Sequence, residues 1–207
     1  MSEPQTDPRR YLAYHEAGHH VARFLLGCPL GPVSIRPGEH YAGISLGNEA
    51  AIPDRYLAKI GWPVVRLPAE LRRYVERAVM VALVGRMAEA LVRPPETGYV
   101  ALPRDELQAE RLARLATLGV REAKRLAEAD HELAPDEQRA RELVWALAGD
   151  VDEGAAYLNW LRAATVSLVR AGEFGRLVEA LVPVLLEHEV VSGRLARQVL
   201  REARERR

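Results

Sequence analysis

Cysteine is almost absent: Cys28 stands alone in 207 residues. A single thiol excludes an intrachain disulfide and any cysteine-built zinc site. Placed directly after Gly27 at the end of a helical pattern, it reads as a half-buried structural thiol, compatible with a reducing, cytoplasmic setting. An excess of charge of either sign is missing as well. Basic and acidic residues each number 29, so the balance offers no electrostatic footprint for nucleic acid or anionic lipid. Lysine is confined to Lys59 and Lys124. The arginines alternate with glutamates along helical stretches as solvated faces, and Glu202 and Glu205 interrupt even the basic stretch 201–207. Long apolar runs are lacking too: the longest, Ala78 to Gly85, is far short of the ~20 residues that cross a bilayer, so no membrane insertion is expected. The first ten residues are polar, carry two prolines and do not read as a secretory signal. No G-x-x-x-x-G-K-[ST] loop occurs, which leaves no visible means of coupling to ATP.

What is present is an ordinary globular composition, 48% hydrophobic and 28% charged, in a chain long enough for one well-buried domain spanning 1–207. Asp7-Pro8 supplies an N-cap and a proline at the first helical position, and Gly27 supplies a stop. Between them, Tyr14, Ala17, Val21, Phe24 and Leu25 form one apolar stripe, with Leu12, Ala22 and Leu26 forming a second. Short alternating segments at 33–36 and 41–46, joined through Pro37-Gly38-Glu39, predict a β-hairpin. A long helix is expected over 69–92, with Leu71, Val75, Val79, Ala82 and Leu83 facing the core, ended by Pro94-Pro95. Further helices are expected over 103–118, 121–130, 135–148, 153–170, 174–186 and 192–205. The fold class is mainly α with one small sheet.

Inside the first helix stands His15-Glu16-Ala17-Gly18-His19, an H-E-x-x-H string. Residues four apart lie one above the other on a helix, so the two imidazoles can share one Zn2+ while Glu16 projects toward the place of a metal-activated water. Both histidines fall on the second apolar stripe and face inward. Buried imidazoles and a carboxylate need partners, and a metal is one way to supply them. A catalytic zinc takes three protein ligands and keeps one position open, so a third ligand must come from elsewhere. His20 points away from the His15/His19 face and is given no metal role. His40 at the hairpin tip, His131 and His188 read as surface or helix-end residues.

The stretch Ala13 to His19, followed by Val33-Ser34-Ile35 and Gly43, resembles the start of the FtsH-type zinc peptidase domain. Gly85-Arg86-Met87-Ala88-Glu89 is similar to that family's GGRAAE stretch, Thr97-Gly98 to its TG loop, and residues 185–193 to its LLExETLxG segment. The resemblance runs in the family's order along nearly the whole chain, although 122–155 matches only in helical character. It implies a helical, zincin-like peptidase fold with the small sheet beside the zinc site. It also implies an aspartate from a later helix as third ligand. Asp105 meets the family pattern with Ala109, Leu112 and Ala113 after it; Glu106 is its nearest rival, and Glu89 would serve under a thermolysin-like plan. The family's peptidase domains form hexamers, so a homo-oligomer is one expected assembly.

The expected function is therefore an ATP-independent zinc metalloendopeptidase acting on flexible or unfolded polypeptides. His15, His19 and Asp105 hold the metal, and Glu16 is the general base. If one strand of the hairpin borders the cleft, its backbone can pair with an extended peptide; Gly43, Ile44, Ser45 and Leu46 are the candidate edge. Two other readings remain open at this stage. One is a non-catalytic helical scaffold retaining a structural zinc site, and the other is a small-molecule amidohydrolase using the same metal chemistry.

Overall fold

The computed structural model describes residues 7–37, 43–45, 68–92, 136, 140–141, 143–144, 148 and 150–206. Among them are five helices and three short strands: α1 (Pro8–Leu25), β1 (Val33–Ser34), β2 (Ile44–Ser45), α2 (Ala69–Glu89), α3 (Val151–Arg170), α4 (Gly172–His188), β3 (Val190–Val191) and α5 (Gly193–Glu205). The mainly helical class holds. The chain divides into two compact units, one of residues 1–49, 84–97 and 165–207, the other of 50–83 and 98–164.

In the first unit, α1 begins where its sequence dictates. The Asp7 carboxylate accepts from the Arg9 amide at 2.9 Å, and Pro8 occupies the first helical position, where its missing N–H costs nothing. At the other end Gly27 takes φ 69°, turning the chain out of the helix. α1 packs against α4 and against β1 and β2, and α4 packs on α5. α4 buries Phe174, Leu177, Val178, Leu181, Val182 and Leu185, each contributing about 1.5–3 kcal/mol on full burial. Pro183 sits inside α4 on its exposed face. Ser192 caps α5 by accepting from the Leu195 amide at 3.2 Å. The end of α2 approaches α1 closely: a Cβ at Gly18 would stand 2.4 Å from the Ala88 Cβ, so the glycine of the H-E-x-x-H string is what lets the two helices meet there.

The sheet differs from the expected hairpin. β1 pairs antiparallel with β2, as predicted, through Val33↔Ser45 and Ser34↔Ile44. It also pairs antiparallel with β3, through Val33↔Val191 and Ser34↔Val190, giving the order β2-β1-β3. β3 was not expected, because two residues between helices carry no period. The Ile35 amide donates to the Glu189 carbonyl at 2.8 Å, which fixes the alternation. Main-chain groups of Val33 and Ile35 turn to β3, those of Ser34 turn to Ile44, and those of Ser45 therefore turn away from β1, toward the side of β2 that pairs with no strand among the described residues. Val33, Ile35 and Val191 are buried while Val190 on the opposite face is 45% exposed.

In the second unit, Leu71, Val75 and Val79 of α2 are fully buried, as their spacing predicts, and α3 buries Leu158 and Leu161. Tyr157 donates to Glu76 at 3.1 Å. Burial and the Glu76 carboxylate both hold the phenol protonated far above its ordinary range. Residues 136, 140, 141, 143 and 144 are helical, within the expected 135–148. The helices expected over 103–118 and 121–130 lie outside the described residues.

Candidate metal centre

α1 brings His15, Glu16 and His19 into the first unit's interior. His19 is 7% exposed and Glu16 5%, and the His15 side chain is 18% exposed. The two rings meet edge to face with centroids 4.6 Å apart, and their Nε2 atoms stand 3.0 Å from each other. Two nitrogens each bound at about 2.05 Å to one tetrahedral ion stand roughly 3.3 Å apart, so the pair is set at close to the spacing that a shared metal requires.

Two residues of α2 prepare that pair. The Glu89 carboxylate lies 2.6 Å from His15 Nδ1. A proton on Nδ1 donated to the carboxylate leaves the Nε2 lone pair of His15 directed at His19, which is the tautomer a metal ligand needs. Glu89 thus meets His15 from behind, on the ring nitrogen opposite the one that faces His19. Gly85 supplies the room. A Cβ there would stand 2.5 Å from His19 Nε2 and 2.6 Å from His15 Nε2, in the space between the imidazoles that an ion bound to both would use. The donor set and this glycine-made cradle fit zinc.

Within the first unit, His15 and His19 each offer one donor atom to a metal ion, and these two atoms lie within 4.8 Å of one another. Asp105 and Glu106 lie outside the described residues, as do Leu46, His40 and His131. Cys28 is half-buried, and His188 closes α4 with its side chain 49% exposed, both as expected.

The strand edge borders the same site. A Cβ at Gly43 would lie 2.8 Å from Glu16 Oε1, so β2 starts directly against the carboxylate of the motif. Ser45 is held from α1 by two side chains that the sequence reading assigned no part. His20 is fully buried and its Nδ1 lies 3.2 Å from Ser45 Oγ. Arg23, 6% exposed, donates from Nη2 to the Ser45 carbonyl at 3.3 Å. Burial, reinforced by the positive charges of Arg23 and Arg197, pushes the His20 pKa down to about 4, so the ring is neutral at physiological pH. The signal that could have found it is position: His20 and Arg23 sit on the flank of a helix whose neighbouring residues were already read as functional.

No protein-family model matches this chain, and no curated protein matches it either. Among the described residues, no helix is long and apolar enough to cross a membrane.

Proposed function

We propose that this chain is a zinc-dependent metalloendopeptidase of the FtsH type that cleaves flexible or unfolded polypeptides without ATP. The observation that carries the reading is the pairing of His15 and His19 Nε2 at 3.0 Å with Glu89 on His15 Nδ1 and Glu16 beside a strand edge. His15 and His19 are two of the ligands, and Asp105, which the family resemblance favours, is the third, with Glu106 its nearest rival. Bound there, zinc supplies a Lewis acid that brings a water's pKa to ~7 and polarises a carbonyl.

The remaining steps belong to the chain. Glu16 accepts the proton of the attacking water and returns it to the departing amine. Its burial beside Gly43 keeps competing water away from the carboxylate and places it within reach of a peptide laid along β2. The outward amide of Ser45 and the main chain of Gly43 offer an extended substrate antiparallel pairing. Main-chain pairing reads backbone and not side chains, which suits broad specificity toward unfolded segments.

Three measurements test the reading together. Metal analysis should find one zinc per chain, lost on chelation and on His15→Ala or His19→Ala. Casein or a quenched peptide library should be cleaved only by the metal-loaded protein. Glu16→Gln should lower cleavage by about 10²–10⁴-fold with zinc retained; full activity in that variant refutes the mechanism. One zinc per chain with no cleavage of any peptide would instead support a structural site. Cleavage of simple amides in preference to peptides would move the assignment to a small-molecule amidohydrolase.

A further inference from the structure

We infer that His20 and Arg23 are positioning residues that pin the register of β2 against α1, and thereby set which bond of a strand-bound peptide meets the metal centre. The consequence for cleavage rests on the peptidase reading; the clamp itself rests on contacts within one unit.

The geometry is a matched ruler. Gly43 lies against Glu16, and two residues later Ser45 meets His20, four residues after Glu16. Two strand residues advance about 6.6 Å and four helical residues about 6 Å, so β2 and α1 run side by side in step. A slip of one residue would move β2 by about 3.3 Å and turn the Ser45 side chain to the opposite face of the sheet. The His20 contact then breaks. Arg23 holds the same residue by its main chain, through the carbonyl that points away from β1. Among the described residues His20 Nε2 has no hydrogen-bond partner, so the Ser45 hydroxyl is the described group that answers this buried ring. A fully buried imidazole with one ring nitrogen unanswered is poor core material. Its position makes sense as an anchor.

Both anchors ride on the helix that carries His15 and His19. Arg23 follows His19 by four residues and His15 by eight, on one face. Two metal ligands, the general base and the strand clamp are therefore parts of one rigid rod, and the peptide register is referred directly to them.

The test uses the zinc-loaded full chain, a set of overlapping peptides whose cleaved bonds are mapped, and hydrogen exchange at 43–45. His20→Phe, Arg23→Met and Ser45→Ala remove the contacts; His20→Asn keeps an amide near the Nδ1 position and Arg23→Lys keeps a donor. Each loss variant should raise KM by about fivefold, the equivalent of one ordinary hydrogen bond. Its kcat and zinc content should hold, and cleavage should spread from one bond to its neighbours. Exchange at 43–45 should quicken in the same variants, and His20→Asn should restore both readouts. Unchanged exchange and an unchanged cleavage map overturn the clamp, as does a His20→Asn protein as impaired as His20→Phe. Should His20→Phe fail to fold, Ser45→Ala carries the same readouts on a half-buried residue. If the parent cleaves nothing while exchange responds as stated, the peptidase reading fails and the clamp stands.

Discussion

α1 and α4 pack on each other at nearly equal length, 18 and 17 residues, yet they bury opposite chemistries. Every buried residue of α4 is apolar, from Phe174 to Leu185. α1 buries Glu16, His19, His20 and Arg23 beside Ala13, Tyr14, Ala17 and Val21. Burying a charge or an imidazole lowers stability unless each polar atom is answered, so α1 depends on polar partners where α4 depends on apolar area alone. The lesson is a division of labour: one helix supplies apolar burial, and the other carries the buried polar groups of the candidate site.

Two substitutions break the comparison from opposite sides, and they carry the largest effects. Gly85→Ala puts a methyl group 2.5 Å from His19 Nε2 and 2.6 Å from His15 Nε2. The rings cannot both retreat, because His15 is tied to Glu89. Titration calorimetry with Zn2+ should find no measurable binding, while the fold survives. Phe174→Ala acts on the other helix. It empties the largest fully buried side chain among the described residues and should cost about 3–5 kcal/mol in urea unfolding, with zinc affinity unchanged in whatever fraction remains folded. A Phe174 variant that lost zinc while folded would show that the two helices do not divide the work as argued.

How far this was readable in advance follows from the range of the interactions. α1 was legible from Asp7 to Gly27 because caps, period and stop signals are local. The inward face of His15 and His19 followed from spacing alone. Gly85, Ala88 and Glu89 were visible as a resemblance, and the structure supplies their physics: room for two nitrogens, close approach to Gly18, and a proton acceptor for His15. β3 was not legible, since Val190 and Val191 become a strand only by meeting β1, more than 150 residues away in sequence. His20 looked idle for the same reason. Its partner, Ser45, lies on another element, and helical spacing says nothing about what covers the flank of a helix.

His20 also gives the comparison a pH dependence. Its pKa falls from 6.5 unfolded to about 4 in the fold, so the unfolded chain binds the extra proton first. Stability is therefore full above pH 6.5, declines as pH falls from 6.5 toward 4, and changes no further from this group below that. The total is about 3 kcal/mol. Urea midpoints of chelator-treated protein at pH 7, 5.5 and 4.5 should trace that decline, and His20→Phe should flatten it. Nothing in α4's buried face titrates, so a slope that persists unchanged in His20→Phe would place its origin elsewhere.

The smallest expected effect sharpens the comparison most finely, because it changes one charge on α2 and leaves shape alone. Glu89→Gln keeps an oxygen that can accept from His15 Nδ1 but removes the negative charge behind the ring. A carboxylate there makes the imidazole a better donor to a metal and holds its orientation. Its loss should weaken zinc binding by about 10–100-fold, with the urea midpoint nearly unmoved. Glutamine is the right probe, since alanine would also open space beside a part-buried histidine and mix packing with charge. Complete loss of zinc from Glu89→Gln would return Glu89 to the role of ligand. Unaltered affinity would mean that His15 is oriented by its helix alone, and that α2 contributes only the room made by Gly85.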